Sequence, residues 1–261
     1  MKISLVSFNQ AWEDKDANKV RVLKYLELSK LKSADIVIFP EMTLTGFSMN
    51  TSHIAEERDN LETVNWFKET LRNMHISAVF GYVEKHENKS RNCLAFVSEE
   101  GQLLASYAKI HPFSYSQENL YYEGGDEISF TNYGETVIGF SICYDLRFPE
   151  LFQALSKTSK VIITIANWPQ KRVEHWSALL KARAIENQVF LAGVNRVGTD
   201  GNDILYEKSS YLFNPIGQKL EPFFSDGEID IYDFDIKQVN EARKSFPVKN
   251  DRKIELYKRI I

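Results

Sequence analysis

The sequence predicts an α/β fold in which helices cover the faces of sheets, and three observations point to it. Short apolar runs of strand length alternate with longer segments whose apolar residues recur at helical spacing. The middle of the chain is richer in strands joined by turn residues, which fits a layered sandwich better than a simple βαβ repeat. No long Pro/Gly/Ser-rich linker, low-complexity tract or internal repeat interrupts the 261 residues, so 1–261 is read as one domain around one large core.

The elements follow in order. Residues 2–9 read as a strand, and 16–32 as an amphipathic helix with Val20, Leu23, Leu26 and Leu31 on its apolar side. Residues 36–39 are a second buried strand, followed by a loop over 40–49. A helix is expected over 57–74, carrying Leu61, Val64, Trp66, Phe67 and Leu71, before 76–84 returns to strand. Residues 91–98 and 103–109 look like hairpin-linked strands about a turn at Glu100-Gly101. An irregular stretch covers 111–126, and the apolar run 137–142 is a buried strand that ends at Cys143. A helix over 149–156 opens on Pro149, which suits a first turn. Then come a strand at 161–166, a helix at 173–187, a strand at 189–194, and shorter strands near 209–213 and 228–234.

Bulk properties exclude several function classes. A net charge of −4, with Lys and Arg interspersed among acids, gives no electrostatic footprint for nucleic acid or anionic lipid. The N-terminus, Met1 to Phe8, lacks the long apolar core and cleavage site of a signal peptide, and no apolar stretch has the length of a membrane span. A cytoplasmic protein with no membrane or nucleic-acid partner is expected. Two cysteines, Cys93 and Cys143, exclude a disulfide framework and a four-thiolate zinc site, and a reducing compartment suits a reactive thiol. Cys93, inside an apolar run, reads as a small buried hydrophobe.

Cys143 is different, because it lies between a strand and a helix start, where a side chain is presented on a turn. A free thiol has a pKa of about 8.5 and needs a base or a nearby cation to act at neutral pH. Glu41 and Lys109 also follow strand-like runs, and the carboxyl ends of strands in α/β sheets converge on one functional edge. Lys109 would favour the thiolate, and Glu41 would accept the thiol proton and return it to a leaving amine. The Lys109 ammonium and the Tyr144 backbone N–H would receive the oxyanion, such a donor being worth about 3 kcal/mol of barrier. His175 falls within the 173–187 helix, which argues against a Cys-His hydrolase, and His111 is read as support for the lysine loop. No set of metal-type residues at suitable spacing is evident.

The sequences around these residues resemble the nitrilase superfamily of carbon–nitrogen hydrolases. Phe39-Pro40-Glu41-Met42-Thr43-Leu44-Thr45-Gly46-Phe47 is similar to the glutamate motif of that family. Tyr107-Ala108-Lys109-Ile110-His111-Pro112-Phe113 is similar to the lysine motif, and Cys143-Tyr144-Asp145-Leu146-Arg147-Phe148-Pro149-Glu150 to the cysteine motif, in the family's order. The resemblance implies a four-layer α-β-β-α sandwich, a Glu41-Lys109-Cys143 triad, and a homodimer whose C-terminal segments cross to the partner; the apolar residues of Phe246-Pro247-Val248 and of Ile254 to Ile261 suit either such a crossing or packing on their own subunit. It implies neither cofactor nor metal. Many members carry a second glutamate between the lysine and the cysteine, in a loop leading to an aromatic and a glycine, and in Glu118-Asn119-Leu120-Tyr121-Tyr122-Glu123-Gly124-Gly125 the candidate for that place is Glu118, with Glu123 as its nearby competitor.

Farther along, Ala166-Asn167-Trp168-Pro169, His175-Trp176, the run 181–188 and Val194-Asn195-Arg196-Val197-Gly198 resemble the bacterial-type ω-amidases. That branch implies removal of ammonia from the terminal amide of small α-keto acid amides such as α-ketoglutaramate and α-ketosuccinamate. Tyr144, Trp168, Arg147 and Phe47 are candidates for substrate binding, and Arg147 and Arg172 are the cations available to a substrate carboxylate. For Arg147 a structural ion pair with Asp145 or Glu150 is the favoured alternative. Two other readings stand beside this one: the same triad acting on a carbamoyl-amine, a nitrile or a deaminated peptide amide, and a catalytically silent binding protein.

Overall fold

The computed structural model describes residues 1–260. In chain order the elements are β1 (Lys2–Val6), α1 (Lys15–Leu31), β2 (Ile36–Ile38), α2 (Thr51–Ile54), α3 (Glu62–Met74), β3 (Ser77–His86), β4 (Lys89–Val97) and β5 (Leu103–Ala108). Then come α4 (Glu118–Tyr121), β6 (Phe130–Tyr133), β7 (Thr136–Ile142), α5 (Pro149–Leu155), β8 (Val161–Ala166), α6 (Val173–Asn187) and β9 (Phe190–Asn195). The chain continues with β10 (Gly198–Thr199), β11 (Leu205–Tyr206), β12 (Tyr211–Phe213), β13 (Phe224–Asp226), β14 (Ile229–Asp233), α7 (Lys237–Ser245) and α8 (Ile254–Ile260).

Two sheets form the centre. One runs β13-β14-β1-β2-β3-β4-β5, the other β12-β9-β8-β7-β6, and β10-β11 is a separate ribbon. The middle strands of each are parallel, β1-β2-β3 and β7-β8-β9, and the flanking strands pair antiparallel.

Strand alternation sorts the side chains into layers. Ile36, Ile38, Val79, Leu94 and Phe96 point inward and join Ile138, Phe140 and Ile142 of the second sheet. Their neighbours Val37, Phe39, Ala78, Phe80, Ala95 and Val97 point outward and meet Val22 and Leu26 of α1 and Val64, Phe67 and Leu71 of α3. Phe67 stacks on Phe80 with ring centroids 3.7 Å apart. The other sheet is covered by Leu151, Phe152 and Leu155 of α5 and Trp176, Leu180 and Ala184 of α6. The order is helix, sheet, sheet, helix, the α-β-β-α sandwich that the resemblance implied.

Several boundaries differ from the sequence reading for local reasons. The helix expected from 57 begins at Glu62, because the backbone of Glu56 is bound to β3, its N–H donating to Val83 and its carbonyl accepting from Lys85. The Glu56 carboxylate then accepts the Thr63 N–H at 3.0 Å and so caps the delayed start of the helix. The stretch 111–126 contains the short helix α4, and α7 had no expected counterpart. Of the tail read as suited to either packing, Ile261 lies outside the described residues.

β2 and β5 point the same way within one sheet, as β7 and β8 do within the other, and the residues that follow them, Glu41, Lys109, Cys143 and Asn167, come together where these strands end. No helix among the described residues is long and apolar enough to cross a membrane.

Candidate active site

Glu41 lies on a tight turn after β2, with Met42 in the left-handed region at φ 47°. The Gln10 side-chain amide donates to the carbonyls of Glu41, Met42 and Thr43 at 3.0, 2.9 and 3.2 Å, and Thr43 Oγ1 accepts the Gly81 N–H at 2.9 Å. A Cβ at Gly81 would sit 2.3 Å from Met42 N, so β3 passes beneath this turn only as glycine.

Cys143 follows β7 in a left-handed conformation, φ 49°, and opens a 3-10 turn over Cys143–Arg147. A non-glycine residue held there is strained, and the surroundings must enforce it. Asp145 does so from a fully buried position. It accepts the Ile142 N–H at 3.0 Å and the Tyr107 hydroxyl at 2.7 Å through Oδ2. Through Oδ1 it accepts the His111 N–H at 3.0 Å and meets His111 Nδ1 at 2.8 Å. One carboxylate thus ties the lysine loop to the cysteine turn, and His111 supports that loop as expected.

Lys109, 1 % exposed, extends its ammonium between two buried carboxylates. Nζ lies 3.1 Å from Glu41 Oε1 and 3.0 and 2.8 Å from Glu118 Oε1 and Oε2. Asn92 Nδ2 donates to both acids, at 2.7 Å to Glu41 Oε1 and 3.1 Å to Glu118 Oε1. Glu41 Oε2 accepts the Asn167 N–H at 2.8 Å, and Glu118 Oε2 accepts the Phe113 N–H. Cys143 Sγ is 4.0 Å from the Asn167 carbonyl. Glu118 begins α4 inside the stretch read as irregular, so its burial had no periodic signal.

The electrostatics differ from the expectation that Lys109 makes a thiolate. Burial would pull the Lys109 ammonium down, but Glu118 and Glu41 outweigh it and hold Lys109 well above its ordinary value. Burial pushes the Glu118 carboxyl up, with Lys109 pulling the other way. Burial, followed by the negative charge of Glu41, drives the Cys143 thiol well above its ordinary range, and Lys109 offsets this only in part. One cation between two carboxylates has no net positive charge to lend. The resting group is therefore a thiol that needs a base, not a preformed thiolate.

A cavity of about 500 Å³ opens onto Cys143. All four residues expected to bind substrate line it: Phe47, Tyr144, Arg147 and Trp168. Phe47 places its ring 5.3 Å from Lys109 Nζ. Trp168 is fixed by Asn195, whose Oδ1 accepts the Trp168 N–H at 2.7 Å and whose Nδ2 donates to the Trp168 carbonyl at 2.9 Å. Arg172 and Lys171 add two more cations to the wall, and Ile204 to Tyr206 close it from the β10-β11 ribbon.

The structural ion pair favoured for Arg147 is not formed. The Asp145 oxygens are occupied by the four donors described above. Arg147 instead lies 4.9 Å over the Trp168 ring, with Nη2 3.4 Å from His175 Nδ1. Arg172 lies 5.4 Å from the Phe113 ring. His175 is an exposed residue of α6. The sequence reading missed Asn92 and assigned no role to Asn167. Neither carries a local signal, since an asparagine in or after a strand is unremarkable until the acids around it are seen.

The family model described as carbon-nitrogen hydrolase matches residues 2–244. A 2-oxoglutaramate amidase of Bacillus subtilis is 31 % identical over 258 residues, covering 98 % of each chain. An omega-amidase of Escherichia coli is 32 % identical over 252 residues, 96 % of each. Among solved structures, a CN-hydrolase superfamily protein from Xanthomonas campestris, with an arsenic adduct in its active site, superposes with a TM-score of 0.88 at 30 % identity over 97 % of both chains. With its sandwich, and with the three motifs of the sequence meeting at one cavity, this chain belongs to the carbon–nitrogen hydrolase family of the nitrilase superfamily.

Proposed function

We propose that the protein hydrolyses the terminal amide of small α-keto acid amides, such as α-ketoglutaramate and α-ketosuccinamate, to the dicarboxylate and ammonia. The observation that carries this reading is the cavity itself: Cys143 lines it, Asn167 on the same lining donates its N–H to the buried Glu41 of the Lys109-Glu118 cluster, and Arg147, Lys171 and Arg172 stand on its wall, none of the three paired with a carboxylate among the described residues. Two relatives aligned over nearly the whole chain bear matching names.

Glu41 takes the Cys143 proton as sulfur forms a bond to the amide carbon and the carbonyl electron pair moves to oxygen. The oxyanion is received by the Lys109 ammonium, one of whose N–H groups turns to it from Glu118, both of whose oxygens the ammonium contacts in the resting site, and by the Tyr144 backbone N–H. Glu41 returns the proton to nitrogen, the C–N bond breaks, and ammonia leaves a thioester on Cys143. Water, deprotonated by Glu41, attacks the thioester, and sulfur leaves and recovers the proton. Glu118 is a poor base, since each of its oxygens already meets two donors, and acts by fixing the Lys109 charge. The substrate carboxylate faces Arg147 and Arg172.

Ammonia release across a panel of α-keto acid amides, neutral amides, carbamoyl-amines and nitriles tests this. The highest kcat/KM is expected for α-ketoglutaramate or α-ketosuccinamate; a preference for neutral amides or carbamoyl-amines refutes the substrate class. We also propose a cytoplasmic homodimer, supported by the exposed Ile185, Ile216, Phe246 and Leu256. Light scattering giving a monomer mass would refute the dimer.

A further inference from the structure

We propose that Asn92 is a positioning residue that decides which carboxylate oxygen takes the Cys143 proton; the inference rests on Glu41 being the base. Asn92 lies on β4, 1 % exposed, and its backbone carbonyl accepts the Lys109 N–H at 2.9 Å. Its two amide hydrogens serve two different acids, Glu41 Oε1 and Glu118 Oε1. Its Oδ1 is buried and meets no donor. The reversed amide would aim that oxygen at both carboxylates, so the orientation is fixed by charge and leaves a polar atom orphaned. A buried side chain that tolerates an orphan acceptor is held for its donors rather than for general satisfaction of the fold.

The consequence follows from counting acceptor positions, about two per carboxylate oxygen. Glu118 is saturated, with Asn92 and Lys109 on Oε1 and Lys109 and Phe113 N–H on Oε2. Glu41 Oε1 is also saturated, by Asn92 and Lys109. Glu41 Oε2 receives only the Asn167 N–H and keeps one position open. In the acylation step the proton therefore passes from Cys143 Sγ to Glu41 Oε2 and onward from that oxygen to the leaving nitrogen. Without Asn92, Oε1 and Glu118 would each regain an open position, and the proton would have competing places to rest.

Steady-state pH profiles of Asn92→Ala, Asn92→Ser and the near-isosteric Asn92→Asp test this, with circular dichroism confirming the fold. Asn92→Ala is expected to lose roughly 10- to 100-fold in kcat, the loss of charge-assisted hydrogen bonds, with KM within about threefold if binding is left intact. The acid limb of kcat/KM should move to higher pH, because fewer donors favour the ionised acids. Asn92→Ser, with one donor, should fall between Ala and wild type. If Asn92→Ala does not fold, Asn92→Asp carries the test, with the same fall in kcat and the same displaced limb expected. A wild-type profile, or a loss of kcat with the acid limb unmoved, overturns the proposal. Glu41→Gln is measured in parallel: an active Glu41→Gln would sink the base assignment itself, whereas an inactive one beside unaltered Asn92 variants would sink only this inference.

Discussion

Replacing Asp145 by asparagine alters one atom of the carboxylate that ties the lysine loop to the cysteine turn, and its effect can be worked from the four donors around it. Tyr107 O–H and Ile142 N–H meet Oδ2, while His111 N–H and Nδ1 meet Oδ1. Asparagine accepts at only one of these two positions. The tyrosine hydroxyl can rotate to accept and the imidazole can change tautomer, but a backbone N–H can do neither. In either amide orientation, Ile142 N–H or His111 N–H is left facing an NH2 group. A buried unpaired donor costs about 1–3 kcal/mol, and the remaining bonds lose their charge assistance, so the total is about 2–4 kcal/mol. For a chain of this size that corresponds to a fall of about 4–15 °C in Tm. The strained φ of Cys143 is also released, so kcat should fall with Tm. Thermal unfolding followed by circular dichroism, with ammonia release assayed well below Tm, reads both. A Tm within about 1 °C of wild type, with unchanged kcat, would refute the view that this carboxylate enforces the cysteine turn.

Three further outcomes are expected. The folded thiol of Cys143 titrates above its unfolded value, so the stability tied to it is fully present below the unfolded pKa of about 8.5 and is lost as pH rises through the folded value. Across that window wild type should lose about 1.4 kcal/mol per pH unit more than Cys143→Ala in urea unfolding, and parallel pH dependences would contradict the buried neutral thiol. Arg172→Ala and Arg147→Ala should lose kcat/KM on a carboxylated amide about 10-fold or more beyond their loss on a neutral amide of similar length; equal losses would remove the carboxylate role. Gly81→Ala, whose Cβ would meet Met42 N at 2.3 Å, should displace the Glu41 turn and destabilise by about 1–3 kcal/mol, seen as a lowered urea midpoint; an unchanged midpoint would show that the turn can yield.

The strands that deliver Glu41 and Cys143 were legible because they are short apolar runs closed by turn residues, and burial on both faces leaves little else for such a run to be. Lys109 was legible as the residue after β5, and the motif resemblance supplied the α-β-β-α layering that periodicity alone does not. The start of α3 was not legible, since the bond of Glu56 to β3 is long-range and overrides local helix propensity. The site itself was read residue by residue but not in its charge balance. A lysine near a cysteine suggests a thiolate only until the second glutamate is seen to bind the same ammonium. Asn92 and Asp145 illustrate the same limit, because their roles come from partners 51 and 34 residues away in sequence.

The most direct measurement is the covalent state of Cys143 during turnover. Rapid acid quench with α-ketoglutaramate, followed by mass spectrometry of the peptide containing residue 143, should show the substrate acyl group, less ammonia, on Cys143, released by hydroxylamine and absent from a folded Cys143→Ala variant that makes no ammonia. Ammonia production by Cys143→Ala at the wild-type rate, or an acyl group carried on another residue, would contradict the account.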